Sequence, residues 1–258
     1  SRLLQNNHGI FSDVTDTLAP NLRHIRMVTS AIWSDVQNDG KPDLLITLEW
    51  GSVRCFINQG GRLEDTTEKS QLSKRRGWWN AITGADVDYD GDMDYVVMNV
   101  GLNTKYGTPS DTHPALLYYG AMDDSRRPKL IEAQMRETNL VPLRSLSYTA
   151  EFIPSLYKKF PTFKSYASSL LPEIYTEKHL NQALRLSANH FESGILINDG
   201  QGNFKWQSMP KLIQASPGFG VVTADMDGDG NLDIHAVQNF YSREPETGLW
   251  RGGIGFSG

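Results

Sequence analysis

The stretch Asp225-Met-Asp-Gly-Asp-Gly-Asn-Leu-Asp233 places carboxylates at the first, third, fifth and ninth positions of a nine-residue loop. Ca²⁺ takes roughly six to eight hard oxygen ligands, and alternate side chains on a tightly curled loop can converge on one ion. Gly230, at the sixth position, allows the sharp turn that such a loop needs. An EF-hand would have a glutamate at position twelve, which is Ala236 here, and the flanking residues are β-branched and apolar. The sequence therefore predicts a Ca²⁺ loop that joins two β-strands.

The same pattern recurs at two other places in the chain. Residues 86–94 keep all four carboxylates and the glycine at the sixth position. Residues 35–43 have Gln37 at the third position, and we expect weaker Ca²⁺ binding there because one charge is missing. An ordinary Asx turn is the alternative for any single copy, but three in-frame copies favour metal loops. The predicted ligands are Asp35, Asp39, Asp43, Asp86, Asp88, Asp90, Asp94, Asp225, Asp227, Asp229 and Asp233.

A fourth, degenerate copy lies at residues 121–129. It keeps Asp123, but Arg126 stands where the glycine belongs and Lys129 stands where the ninth carboxylate belongs. A lysine ammonium can supply the positive charge that a bound ion would otherwise bring to such a loop. We therefore predict that this loop binds no Ca²⁺ and that the lysine takes the place of the ion.

A hairpin precedes each of the three carboxylate-rich loops at a nearly constant distance. Asn6, Asn58 and Asn198 lie in the matching hairpins, and the next loop begins 29, 28 and 27 residues later, respectively. A hairpin, a strand, a loop and another strand thus form one repeat of about fifty residues, which is the length of a four-stranded propeller blade. The sequence predicts an all-β fold built from about four such blades.

A helical segment interrupts the repeats. Apolar residues between 153 and 184 recur at i, i+3, i+4 and i+7, which predicts three short amphipathic helices. We expect blades over residues 1–143, a helical insertion over 144–188, and further blades over 189–258. The insertion is either a lid packed on the propeller rim or a dedicated surface for a partner.

Two groups of motifs resemble a known family. The pair Phe219-Gly220, followed by the Asp-x-Asp-x-Asp-Gly-x-x-Asp loop, resembles the FG-GAP/VCBS repeats of integrin-like β-propellers. Residues 77–80, 99–103 and 117–120 are similar to segments of bacterial proteins of the ASPIC/UnbV-associated type. The resemblance implies propeller blades with Ca²⁺ in their loops, but it does not specify a biological role.

We expect the propeller to be incomplete. The residues outside the insertion suffice for about four blades, whereas closed propellers have up to about eight. Open strand edges would expose unpaired backbone donors and acceptors. The sequence therefore predicts a part of a longer propeller or edge-to-edge self-association.

Composition excludes several classes of function. The formal charge of −5 arises mainly from the loops, which hold 12 of the 30 acidic residues. The absence of a basic stripe argues against a nucleic-acid partner, and no apolar run is long enough to span a membrane. The sequence also lacks zinc-protease, Walker and Gly-x-Ser-x-Gly motifs, so we favour a non-catalytic protein.

The leading hypothesis is a Ca²⁺-stabilised module for adhesion or for binding a protein or glycan ligand. We expect it to be secreted, periplasmic or at the bacterial cell surface, where millimolar Ca²⁺ can fill weak sites. The rival hypothesis is a polysaccharide lyase or hydrolase built on a Ca²⁺-containing propeller. Aromatic residues that could stack on a sugar, with core packing as the alternative, are Trp78, Trp79, Tyr118 and Tyr119.

Overall fold

The structure, a computed structural model, describes residues 1–238 and 256–257, so part of the predicted segment 189–258 lies outside the described residues. Most of its regular structure is β-strand, as expected for runs rich in β-branched and aromatic residues. In chain order the strands are β1 (Leu4–Asn7), β2 (Ile10–Asp13), β3 (Met27–Ser34), β4 (Asp43–Ser52), β5 (Arg54–Gln59), β6 (Arg62–Asp65), β7 (Arg76–Trp78), β8 (Ala81–Ala85), β9 (Asp94–Met98), β10 (Ala115–Ala121), β11 (Pro128–Arg136), β12 (Asn139–Pro142), β13 (Leu184–Ala188), β14 (Gly194–Asn198), β15 (Phe204–Ser208), β16 (Gly218–Ala224), β17 (Asp233–Gln238) and β18 (Phe256–Ser257).

The helices are short and most of them are close together in the chain. Within the described residues, 3₁₀ turns cover Pro20–Leu22, Leu72–Lys74 and Lys211–Ala215. The α-helices are α1 (Thr15–Leu18), α2 (Leu146–Phe152), α3 (Leu156–Lys159), α4 (Phe163–Ala167), α5 (Leu171–Tyr175) and α6 (Glu177–Gln182).

The chain forms two compact units. The first unit contains residues 1–103 and 191–238, together with β18, and the second contains residues 104–190. In the described part of the first unit, β1 and β2 form a two-stranded hairpin, and the remaining strands form three antiparallel sheets.

The first blade is the sheet β3-β4-β5-β6, with β7 also paired to β4. Residues 35–43 join β3 to β4, and Ser34 lies opposite Asp43 where the two strands meet the loop. β4 is buried along nearly its whole length, which explains its continuous apolar run Leu44-Leu-Ile46. The predicted repeat placed the hairpin before the strand, loop and strand, which was wrong: β1 and β2 form a separate sheet, and the hairpin of this blade, β5 and β6, follows the loop.

The second blade has the same order but draws its strands from distant parts of the chain. Its order is β8-β9-β14-β15, and residues 86–94 join β8 to β9. β9 pairs with β14 through Val97 and Gly194, although residues 99–193 separate the two strands. The long insertion therefore enters this blade between its second and third strands.

The third blade is the sheet β16-β17-β18, in which residues 225–233 join β16 to β17. β8 contacts both β3 and β16, so the first strands of the three blades are neighbours. Buried Trp79 and Tyr95 belong to a hydrophobic cluster contributed by the first two blades. This arrangement confirms the predicted all-β, propeller-like fold.

The second unit is built on a sheet of a different order, β12-β11-β10-β13. Residues 122–127 connect β10 to β11, which are adjacent and antiparallel. Helices α2 to α6 contribute to the same hydrophobic cluster as this sheet, through residues that include Leu146, Leu171 and Tyr175. The domain boundaries predicted at residues 143 and 189 stay a prediction.

The helical segment has five helices between Leu146 and Gln182, so the expected number of three was wrong. Proline explains the difference. Pro154 and Pro161 lie between helices, and Pro172 lies in the first turn of α5, where its missing N–H is tolerated. Thr176, with a φ of 64°, then separates α5 from α6.

Candidate functional site

The loop at residues 86–94 gathers carboxylates between β8 and β9. One carboxylate oxygen from each of Asp86, Asp88 and Asp94 lies within 4.8 Å of the other two. The backbone shapes the loop, because Asp86 Oδ2 accepts a hydrogen bond of 3.1 Å from the N–H of Gly91, whose φ is +95°. Three like charges at this spacing repel one another unless a cation lies among them.

Asp86 also has an oxygen without a donor. Its Oδ1 atom is buried, and no hydrogen-bond partner for it lies among the described residues. An ionised oxygen that is removed from water without a partner is costly, whereas a bound cation would satisfy it. Because Ca²⁺ is bound by carboxylate oxygens, this set of donors fits the ion.

The ninth position of this loop is a structural anchor. Asp94 is fully buried, and its two oxygens accept hydrogen bonds from the backbone N–H groups of Val87 (3.0 Å) and Asn198 (2.8 Å). Burial raises the pKa of Asp94, and the nearby Asp88 and Asp90 raise it further, while the two hydrogen bonds act in the opposite direction. The carboxylate therefore connects the loop to the hairpin of the same blade.

The loop at residues 225–233 has a similar backbone but a more exposed set of carboxylates. One oxygen from each of Asp225, Asp227 and Asp229 lies within 4.8 Å of the others. Asp225 accepts hydrogen bonds from the N–H groups of Gly228 (2.7 Å) and Gly230 (3.0 Å). Asp233, also a predicted ligand, accepts one of 3.0 Å from Met226.

The loop at residues 35–43 differs from these two. No three carboxylate oxygens converge here within the described residues, and Lys41 Nζ lies 2.5 Å from Asp39 Oδ2. This hydrogen bond is the largest cause of the lowered pKa of Asp39. Asp35 accepts hydrogen bonds from the backbone, and Asp43 repeats the anchoring role by accepting from Asn58 N–H (2.7 Å). Weaker Ca²⁺ binding at this loop stays a prediction.

The degenerate loop contains the lysine in the expected place. Lys129 Nζ donates to both oxygens of Asp123, at 2.8 and 2.9 Å. Burial raises the pKa of Asp123, but hydrogen bonds from Lys129 and Ser125 outweigh it and lower the pKa overall. The lysine ammonium thus supplies the positive charge here, while the absence of Ca²⁺ from this loop stays a prediction.

Comparison with known protein families finds a match in the first part of the chain. Residues 35–97, which include the first two carboxylate-rich loops, match the family described as FG-GAP-like repeat. These residues form an FG-GAP-like repeat. No curated protein matches the chain. The FG-GAP-like repeat supports the predicted FG-GAP resemblance, and the ASPIC/UnbV-associated type stays a prediction.

The FG-GAP-like repeat also contains a contact that the sequence did not predict. Asn58 lies in its hairpin, and the Asn58 side chain donates to the carbonyl of Pro42 (3.0 Å). Asn198, the matching residue in the second blade, donates to the carbonyl of Val36 in the loop of the first blade (2.9 Å). Each of these two asparagine side chains links a hairpin to a carboxylate-rich loop. The signal in the sequence that could have predicted this contact is that asparagine occupies the same place in both hairpins.

The four candidate aromatic residues differ in exposure. Trp79 and Tyr118 are buried in hydrophobic clusters, and Trp79 packs edge-on against Trp206 with ring centroids 5.8 Å apart. Trp78 is half-buried, whereas Tyr119 is 49% exposed. A role in ligand binding stays a prediction for all four, and Tyr119 is the most accessible of them.

Proposed function

We propose that the protein is a Ca²⁺-binding, propeller-type module that binds a protein or glycan ligand outside the cytoplasm and does not catalyse a reaction. The observation that carries the metal part is the buried Asp86 Oδ1, which lacks a donor among the described residues and belongs to a converging set of carboxylates. The FG-GAP-like repeat at residues 35–97 suggests an extracellular, adhesion-type propeller module, which supports the rest of the proposal.

The proposed ion has a structural role. Asp86, Asp88, Asp90 and Asp94 would hold one Ca²⁺, and the corresponding residues of the 225–233 loop would hold another. The ion would supply positive charge between carboxylates that otherwise repel one another. Because Asp94 also binds the hairpin through Asn198, a stable loop would stabilise the blade.

The proposed location follows from the repeat and from the metal. FG-GAP repeats are typical of extracellular proteins. In the part of the chain that the structure describes, no helix is both long and apolar enough to cross a membrane. Millimolar Ca²⁺ outside the cytoplasm would fill sites with modest affinity.

Titration calorimetry on chelator-treated protein tests the metal sites. We expect two tight Ca²⁺ sites and a weaker third one. Asp88→Asn should remove one tight site, whereas Asp92→Asn, which removes the same charge from the same loop at a non-ligand position, should preserve it. Equal loss in both variants would show that only the total charge of the loop matters.

A panel of proteins and oligosaccharides tests the ligand-binding part. Binding without turnover supports the module, whereas turnover that is lost on chelation would support the polysaccharide lyase or hydrolase. Edge-to-edge self-association also stays a prediction, which sedimentation velocity across a range of protein concentrations can test.

A further inference from the structure

A second candidate site lies at the opposite end of the first blade. The FG-GAP-like repeat and the preceding turn enclose a cavity of about 520 Å³, lined by residues of the 20–26 turn and by the ends of β4, β5 and β7. From β4 the lining takes Leu48, Gly51 and Ser52, which lie in its last five residues, away from the 35–43 loop. The cavity volume is within the range of about 300–1,000 Å³ that is typical of small-molecule sites.

The lining of this cavity has more basic than acidic side chains. Three arginines contribute to it, namely Arg26, Arg54 and Arg76, whereas Glu68 is its only carboxylate among the described residues. Glu68 Oε2 already accepts a hydrogen bond of 2.6 Å from Ser73. This concentration of positive charge contrasts with the chain as a whole, whose formal charge is −5.

Several donors in the lining have few acceptors or none. Within the described residues, Arg26 has no carboxylate partner, and its guanidinium donates only a long bond of 3.5 Å to the carbonyl of Trp50. Arg54 pairs with Asp65 through Nη2, but its Nε is buried and has no acceptor among the described residues. A planar guanidinium with available N–H groups is well suited to a carboxylate or sulfate group.

Neutral polar groups complete the lining. Ser52 is a buried residue whose hydroxyl makes no hydrogen bond within the described part of the chain, and the same is true of the more exposed side chains of Asn21 and His24. These groups can donate hydrogen bonds to ligand hydroxyls or accept hydrogen bonds from them. A saccharide carries such hydroxyls, whereas an inorganic anion such as sulfate does not. Apolar surface from Ile25 and Leu48 adds a region that can contact the C–H face of a sugar ring.

We propose that this cavity binds an acidic saccharide, with its carboxylate or sulfate group at Arg26 and its hydroxyls at the neutral polar residues. The inference rests on the proposed function, because it names the ligand class of a binding module. It does not rest on the metal loops, because none of their residues lines the cavity.

Titration of the whole protein with three probes tests the ligand class. A tetragalacturonate and a sulfated tetrasaccharide should bind, and a neutral tetrasaccharide of the same length should bind at least about tenfold more weakly, because it lacks the charge-assisted hydrogen bonds. The relative affinities of the first two probes show whether the site prefers a carboxylate or a sulfate group. Comparable affinity for inorganic sulfate alone or for a polyglutamate peptide would overturn the assignment to a saccharide.

Matched variants test the position of the site. Arg26→Glu should weaken acidic-saccharide binding by about tenfold or more, and Arg26→Lys should retain part of it. Arg62→Glu is the control, because Arg62 is exposed on the same sheet, outside the cavity, and undergoes the same charge change. Melting curves of all three variants identify any that do not fold.

The outcomes separate this inference from the proposed function. Equal weakening by Arg26→Glu and Arg62→Glu would overturn the site, because it would indicate non-specific attraction. Binding of a neutral glycan or a protein that is unchanged in Arg26→Glu would overturn the site and preserve the binding module. Failure of every ligand to bind would overturn both.

Discussion

Residues 86–94 and 121–129 both connect adjacent antiparallel strands, but their carboxylates are neutralised differently. The 121–129 loop carries its own cation, since Lys129 donates to both oxygens of Asp123. The 86–94 loop has a carboxylate, Asp94, at the position of that lysine, and it leaves Asp86 Oδ1 buried without a donor among the described residues. Such a loop therefore needs positive charge, which comes either from its own ninth residue or, as we propose, from Ca²⁺.

The largest expected effect is at the ninth position of the 86–94 loop. Asp94→Ala removes the acceptor of two backbone N–H groups, and we expect the free energy of unfolding to fall by about 2–4 kcal/mol because these donors are left without a partner. Urea unfolding measures this change. Asp92→Ala, in the same loop, is the control and should have a much smaller effect; equal losses would show that Asp94 is not the anchor.

Chelation should distinguish the two loops. If Ca²⁺ is present at a hundredfold excess over its Kd, its removal lowers the stability of the folded state by about 2.7 kcal/mol. The melting temperature of the protein should therefore fall in chelator, and the fall should be smaller in Asp88→Asn. Lys129→Met should respond to chelator as the unaltered protein does; a changed response would contradict the assignment of a cation-free loop.

The lysine loop should instead respond to pH. Because Lys129 lowers the folded-state pKa of Asp123, the pair contributes stability above the unfolded-state pKa of about 3.9 and loses it as the pH falls through the lower, folded-state value. Lys129→Met should destabilise the protein by about 1–2 kcal/mol at neutral pH, since the carboxylate loses its charged donor. The difference between the two proteins should shrink below about pH 4, and a difference that is constant with pH would disprove the ion pair as its cause.

The smallest expected effect concerns the 35–43 loop. Gln37→Asp restores the missing carboxylate, and we expect a several-fold tighter third Ca²⁺ site in calorimetry, with little change in stability. Lys41 competes for Asp39, so Gln37→Asp combined with Lys41→Gln should bind more tightly still. Gln37→Asn is the neutral control, and an equal gain in that variant would mean that charge at the third position is unimportant.

The sequence predicted those features that depend on neighbouring residues. Repeated carboxylates and glycines located the loops, and constant spacing from hairpin to loop indicated the blades. The ion pair of Lys129 with Asp123 followed from a single substitution at the ninth position. In each case the residues concerned lie within one loop or in neighbouring stretches of the chain.

Features that depend on distant residues could not be predicted in this way. The pairing of β9 with β14 joins strands that residues 99–193 separate, and no local pattern records it. The cavity beside Arg26 brings together a turn and three strand ends, none of which carries a recognisable motif. The link from Asn198 to Val36 likewise exists only after two blades have packed.

The split of the second blade has a consequence for the order of folding. Pairing β9 with β14 closes a loop that is roughly sixteen times longer than a common connection of about six residues. The entropic cost of closing this loop exceeds that of the common connection by only about 2.4 kcal/mol. The hydrogen bond from Gly101 N–H to the carbonyl of Phe191 (2.9 Å) forms where the chain leaves the blade and returns to it. Prior folding of residues 104–190 would shorten the effective loop, so we expect this unit to set the rate at which the second blade closes. Substitutions in the hydrophobic cluster of residues 104–190 would then slow the formation of the second blade, although no residue of that cluster lies in the strands of this blade.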